Sequence, residues 1–265
     1  MQNLEIHLPA AQLFHIGPLP VTNTMLLGGI GVVAMLTILL FAASQLKAGK
    51  HNRFTGFVQW VFEGMYGTIH EIIPDPKMAK SIAPLALTIF FTVLSTYWMS
   101  ILPGVGSIKF GGDDVLRSLP TDLNFTFAIA IVTMVSVQYY AIKHHGFFGN
   151  AGRYLFNPLK DPISAFEGFL ELIGEFSRLV ALALRLFGNA FAGEVLLIIV
   201  ALLSGYFASL SLPFFMAFEL FIGFIQAYVF FMLTLIFASL AVQSHGGDHS
   251  NDHSPATAHP KPAVE

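Results

Sequence analysis

Apolar residues run in long uninterrupted stretches along this chain, and the lengths of those stretches set its architecture. Three runs without an acidic or basic residue, 22–46, 81–102 and 123–142, each reach the roughly 20 residues that a helix needs to cross a bilayer. A fourth apolar stretch, 179–244, contains only three charges, Arg185, Glu194 and Glu219. It is too long for one crossing, and Leu210-Ser211-Leu212-Pro213 offers a place to turn. The pattern predicts two helices, 164–205 and 211–243, joined near 209–213.

Segment 54–73 has a different period. Phe54, Phe57, Val58, Val61, Phe62, Met65, Tyr66, Ile69, Ile72 and Ile73 recur in steps of three and four, which makes one apolar stripe on a helix. Gln59, Glu63, His70 and Glu71 fall on the other side. Such a helix is expected to lie in the membrane interface and to end at Pro74-Asp75-Pro76. The penultimate helix is unusual in another way. At about 1.5 Å per residue, a helix over 164–205 far exceeds a hydrocarbon core of about 30 Å. It also carries Glu167, Glu171, Glu175, Arg178, Arg185 and Glu194. It must tilt steeply, or bend at a glycine such as Gly174 or Gly188.

Composition agrees with a lipid solvent. Of 265 residues, 55% are hydrophobic and only 11% are charged, less than half the roughly 25% of soluble domains. The expected fold class is an all-α integral membrane protein, with about five membrane-embedded helices and one interfacial helix in a single domain over 1–244. The net charge of −3 points to neither nucleic acid nor a polybasic lipid anchor. The absence of cysteine excludes disulfides, Fe–S clusters and thiolate metal sites. The first 21 residues hold Glu5 but no Lys or Arg, so the basic region of a secretory signal is missing. No internal repeat stands out. Lys47, Lys50 and Arg53 follow the first span, and Lys143, Arg153 and Lys160 follow the third. Both loops are expected on the cytoplasmic side. The mixed-charge loop 103–121 fits the opposite side. Five crossings then leave the N-terminus outside and the C-terminus inside.

The candidate chemistry lies in charges that the apolar runs ought not to hold. A charge at mid-membrane costs roughly 2.5–3.5 kcal/mol on insertion scales. Arg185, between Ala181–Leu184 and Leu186–Phe187, is too deep for easy snorkelling, and its guanidinium stays protonated. A structural ion pair inside the bundle is one reading. At about 100° per residue, Arg185 shares its face with Ala181, Leu182, Gly188, Asn189 and Ala192, mostly small residues that admit a neighbouring helix. Glu171 and Arg178 fall on roughly the same face. Glu194, nine residues on, points about 180° away and cannot neutralise Arg185 within that helix. On the last helix Glu219 and Gln226 align, with Gly223 between them. Glu219 suits a group that takes and gives protons, or a buried acid with a hydrogen-bonding neighbour. Gln226 alone also fits a helix-packing amide.

Leu184-Arg185-Leu186-Phe187-Gly188-Asn189-Ala190-Phe191-Ala192-Gly193-Glu194 resembles the signature segment of subunit a of the F-type ATP synthase. Glu219 through Gln226-Ala227-Tyr228-Val229-Phe230 is similar to that family's last helix. Pro120-Thr121-Asp122-Leu123-Asn124-Phe125-Thr126 resembles its mid-chain segment, and Asn157-Pro158 followed by Glu171 and Arg178 resembles the approach to its arginine helix. The likeness covers most of the chain and is strongest after Pro120. It implies that the last two long helices form a steeply inclined hairpin against a rotating ring of c subunits. It implies an essential role for Arg185 facing the ring's carboxylate. Asn189, Glu194, Glu219 and Gln226 would line two aqueous half-channels, with Glu171, Asp122 and Arg178 also on the proton path. The division of roles between Glu194 and Glu219 stays open, since some members carry histidine at the position of Glu219.

The partners implied are the c-ring, peripheral-stalk b subunits, the rest of the synthase, the lipid bilayer and the translocated H⁺ or Na⁺. No cofactor, metal or nucleic acid is expected. The chain has no GxxxxGK[ST] phosphate loop, so ATP chemistry is expected on other subunits. A bacterial inner membrane is the expected location, with a mitochondrial inner or thylakoid membrane as the alternative. The rival function is a secondary transporter whose Arg185 holds an anionic substrate, although such proteins often show two related halves. In the tail, 245–265, His245, His249 and His253 alternate with Asp248 and Asp252. A helical tail would offer metal ligands there, but Gly246-Gly247, Ser and Pro point to a disordered end. His144-His145 is expected in an interfacial loop.

Overall fold

The computed structural model describes residues 12–16, 19–49, 51–102, 105, 109–110, 113–114, 116–146 and 162–243. The histidine-rich tail and Asn157-Pro158 lie outside them. The described chain is an all-α integral membrane protein. Its helices are α1 (Asn23–Lys47), α2 (Arg53–Ile72), α3 (Pro76–Ser100), α4 (Leu123–His145), α5 (Pro162–Ser204) and α6 (Ala208–Gln243). A short antiparallel hairpin, β1 (Gln12–Ile16) with β2 (Leu19–Thr22), precedes α1 and has no counterpart in the helical reading of the sequence. Lys109–Phe110 and Asp113–Asp114 form a second, two-residue pair of strands.

Each helix starts and stops for a local reason. The Thr22 hydroxyl accepts from the Met25 amide at 3.3 Å to open α1. Gly49, at φ 70°, follows its last turn, a conformation glycine adopts without a side-chain penalty. Thr55 closes the start of α2 by accepting from Asn52 N and donating back to Asn52 O, both at 2.8 Å. α3 opens five residues before the uncharged run, because Asp75 caps Lys77 N at 3.0 Å and Pro76 suits a first helical position. α4 runs on through His144 and His145 to Gly146 at φ 78°. Those histidines are therefore a helix end rather than a loop.

The hairpin turn also differs from its expected place. It lies at Gly205–Phe207, where Gly205 takes φ 49°, rather than at 209–213. Glycine makes the reversal at low cost. Pro213 is absorbed inside α6. The Ser211 hydroxyl bridges the turn to the Ser204 hydroxyl at 2.7 Å.

α6 is the central helix, packed against α3, α4 and α5. Phe90, Val93 and Tyr97 on α3 share one core with Leu182, Leu186 and Ala190 on α5, with Ala227, Phe230, Phe231 and Leu235 on α6, and with Ala130, Val137 and Ala141 on α4. α1 packs on the other side of α3, where Gly31 leaves room for Met99. α2 sends Met65 and Ile69 inward while Phe54, Phe57 and Trp60 remain exposed. Much of the outer surface is likewise apolar, including Val33, Leu36, Leu40, Val132, Val135, Leu203 and Phe214. In water such a surface would be a liability; in a bilayer it is the solvated face. α5 is one unbroken helix of 43 residues, about 65 Å long, so neither Gly174 nor Gly188 ends it. It cannot stand upright within a hydrocarbon core of about 30 Å.

Asp122 has a clear place in this scaffold. It accepts from Asn124 N at 2.9 Å, capping α4, and from the Thr24 hydroxyl at 3.0 Å, tying α4 to the start of α1. Asp122→Ala is expected to cost about 0.5–2 kcal/mol of stability, while Asp122→Asn, which still caps, keeps most of it. Thermal unfolding in detergent measures both. Equal melting of the two variants and the parent would remove the capping role.

Candidate functional site

The site is built on the α5–α6 hairpin, with α3 and α4 behind it. Leu182, Ala183, Leu186 and Ala190 turn α5 toward the core. The opposite side of the helix consequently carries Ala181, Arg185, Asn189 and Ala192, all exposed. A side chain added at Gly188 would meet nothing within 4 Å. Leu182, placed on the arginine's face by spacing alone, belongs to the core instead, because a residue three positions away sits at the edge of that face. Among the described residues none forms an ion pair with Arg185.

Level with the arginine, Asn189 Nδ2 donates to Gln226 Oε1 at 2.6 Å and joins α5 to α6. Gln226 is 3% exposed. Its Nε2 has no hydrogen-bond partner among the described residues. Leaving such a donor unmet costs roughly 1–3 kcal/mol, so this position favours water or an arriving polar group.

Toward the hairpin turn, the two acids of the apolar run meet. Glu219, 7% exposed, lies against Gly193, where any side chain would collide with its carboxyl group. Glu194 is half-buried, and the two carboxyls are close enough to feel one another's charge. The pair sits nine residues from Arg185 along α5, about 13 Å. Tyr97 of α3 fills the space beside Gly223, between Glu219 and Gln226 on the same face of α6. Its hydroxyl donates to Leu186 O at 2.7 Å.

A second polar group lies the other way along α5. Gln138 Nε2 of α4 donates to both carboxylate oxygens of Glu175 at 2.6 Å. Arg178 lies over the Phe237 ring of α6, 5.5 Å from its centroid, a cation–π contact. Glu171 is half-buried with a partner of its own. Glu175 is ten residues before Arg185, about 15 Å along the axis.

The structure thus pairs Asn189 with Gln226 and Glu194 with Glu219. It sets Arg178 and Glu171 on the far side of Arg185 and leaves Asp122 apart, as a helix cap. Tyr97 and Gln138 escaped the sequence reading. The signal for each was a polar group inside an otherwise apolar span, weak because neither carries a charge.

The family model described as ATP synthase A chain matches residues 25–239. The chain is 36% identical over 234 residues to ATP synthase subunit a of Alteromonas mediterranea, covering 82% of each chain. It is 33% identical over 218 residues to that of Marinomonas sp. (strain MWYL1), covering 77% of this chain and 76% of the relative. A Coxiella burnetii (strain RSA 493 / Nine Mile phase I) subunit a matches at 33% over 221 residues, 81% and 83% of the two chains. With its long apolar helices and bacterial relatives, this is a multi-pass membrane protein of bacterial type. The chain belongs to the ATP synthase subunit a family.

Proposed function

We propose that this chain is the proton-translocating stator subunit of a rotary ATP synthase, with Arg185 standing between two aqueous half-channels. The observation that carries the reading is the arginine's position. It is exposed on a small-residue face, without an ion pair among the described residues, and polar groups lie at different heights on either side of it. An arginine binding an anionic substrate would be expected to face an enclosed site. This one faces outward, which favours a partner helix over a small ligand.

In this reading Glu194 and Glu219 belong to one half-channel, and Glu171, Glu175 and Arg178 to the other. Asn189 and Gln226 supply the polar lining level with Arg185. Protons pass between the half-channels only on carboxylates of a c-ring, each neutralised so that it can turn through lipid. Arg185 favours the ionised form of an arriving carboxylate by opposite-charge attraction, drives proton release and blocks leakage. One charge crossing 100 mV gains about 2.3 kcal/mol, so several must cross for each ATP made on other subunits. Peripheral-stalk b subunits would hold the chain against the turning ring. The basic residues near α1 and α4 support cytoplasmic placement of those ends, with the N-terminus outside the cell and the C-terminus inside.

Arg185→Ala is expected to abolish ATP synthesis driven by an imposed proton gradient in membrane vesicles, while ATP hydrolysis by the detached soluble sector persists. Synthesis at the parental rate would refute the role. Glu219→Gln is expected to slow proton flux without preventing assembly; flux unchanged across a broad pH range would exclude Glu219 as a relay. Gly193→Ala should displace the Glu219 carboxyl and reduce flux, and the double variant Gly193→Ala/Glu219→Asp should recover part of it, because the shorter acid clears the new methyl. The same proton-uptake assay reads both, and no recovery would argue against that contact.

A further inference from the structure

The contact between Gln138 of α4 and Glu175 of α5 joins two long helices through a charge that packing does not need. Glu175 lies on the stripe of α5 that continues, at steps of seven and eleven, through Leu182 and Leu186, both 1% exposed in the core. At about 100° per residue the acid therefore belongs to the inner side of the helix, turned away from the open strip that carries Arg185. It is half-buried there, as is Gln138. A carboxylate taken out of water needs hydrogen-bond donors in exchange. Gln138 Nε2 supplies them, donating to both carboxylate oxygens at 2.6 Å. A pair of leucines, or a second glutamine, would tie the same two helices without an acid. The tie by itself does not account for Glu175.

The place of the pair gives the acid a task. Gln138 lies seven residues, about 10 Å, before His145 at the end of α4, and Lys143 stands exposed between them. In the proposed topology that end is cytoplasmic. Glu175 is set about 15 Å from Arg185 along α5, towards the same side. Arg178, the cation between them, rests on the Phe237 ring of α6.

We propose that Glu175 is the carboxylate at which protons pass between the cytoplasmic half-channel and the water beyond it, and that Gln138 is its positioning residue. The proposal rests on the half-channel reading and adds to it a fixed point of exchange. The step is a plain proton transfer. The carboxylate takes a proton from hydronium, leaving water, and later gives it to another water, which regenerates the anion. An amide suits this better than a cation. Lys or Arg at position 138 would hold the ionised form by full opposite charge and oppose uptake of the proton. A neutral amide aims the carboxylate and still lets it be protonated, because when one oxygen receives the proton the other keeps its N–H.

The test uses the whole synthase carrying this subunit in inverted membrane vesicles, where ATP synthesis driven by an imposed proton gradient is measured per assembled complex. Glu175→Gln keeps a side chain that can hydrogen-bond to Gln138 but cannot carry a proton. It should assemble normally and lower the rate by about tenfold, equivalent to a barrier higher by about 1.4 kcal/mol. Gln138→Met, of similar length and without a donor, should lower the rate by about threefold and have no further effect in the Glu175→Gln background. Exchanging the two residues, Gln138→Glu with Glu175→Gln, rebuilds the amide–carboxylate pair with the acid on α4 and should recover most of the rate. If Gln138→Met does not co-purify with the other subunits, Glu175→Gln and the exchanged pair decide. A bond that only ties the helices predicts the opposite pattern: the parental rate in Glu175→Gln, with Gln138→Met felt in assembly or melting alone. That result overturns the proposal. An effect of Gln138→Met that persists in full once Glu175 is gone, or no recovery in an assembled exchanged pair, removes the part given to Gln138. Arg185→Ala separates the two levels of inference. If it abolishes synthesis while Glu175→Gln runs at the parental rate, the exchange point alone fails; if synthesis survives in Arg185→Ala, the half-channel reading fails with it.

Discussion

A guanidinium cannot shed its proton, and hydrocarbon cannot solvate it. Every feature around Arg185 follows from reconciling those two facts. An ion pair inside the bundle would have met the cost locally and frozen the charge in place. Instead α5 commits its opposite side, through Leu182, Leu186 and Ala190, to the core. The arginine is left on an open strip of alanine, glycine and asparagine. Small residues there keep the backbone accessible, so a second surface can approach closely enough to supply the missing counter-charge. The neighbouring polar groups find other partners: Arg178 turns to Phe237 and Glu175 to Gln138. Among the described residues Arg185 has no ion pair, while its neighbours are satisfied elsewhere.

Glycine does comparable work between helices. Gly193 admits the Glu219 carboxyl, Gly223 admits Tyr97, and Gly31 admits Met99. At each place a missing Cβ lets a larger or charged group from another helix occupy the space. In a medium where apolar surface gains nothing by leaving lipid, such close fits and interhelical hydrogen bonds carry much of the association. The glycines thus set which polar groups meet, and through that the chemistry of the hairpin.

The sequence disclosed the apolar spans, the amphipathic α2 and the exceptional charges because each has a periodicity or a transfer cost large enough to stand out. It disclosed less wherever competing local options were nearly equal in energy. The reversal between α5 and α6 shows this. Pro213 suggested a break, yet α6 runs through it, and Gly205 supplied the conformation that a reversal needs. Leu182 shows the limit of helical-wheel reasoning, since the side chains flanking a face are assigned by what they pack against. Tyr97 and Gln138 were illegible for a related reason: an uncharged polar group in an apolar run declares no partner until another helix is laid beside it. The β1–β2 hairpin was missed because its strands are too short to show a period.

The length of α5 bears on where its acids can sit in a membrane. Glu175 and Glu194 are nineteen residues apart, about 28 Å along the axis, close to the thickness of the hydrocarbon core of about 30 Å. In an upright helix both would lie near the membrane faces and a proton would need no channel to reach either. Under the proposed function, inclining a helix of about 65 Å would bring both acids inside the apolar layer and separate them laterally as well as in depth. Each would then need its own wet approach from its own side. In the proposed function, that lateral offset would let a carrier moving in the membrane plane meet the two acids in turn, with Arg185 fixed between them.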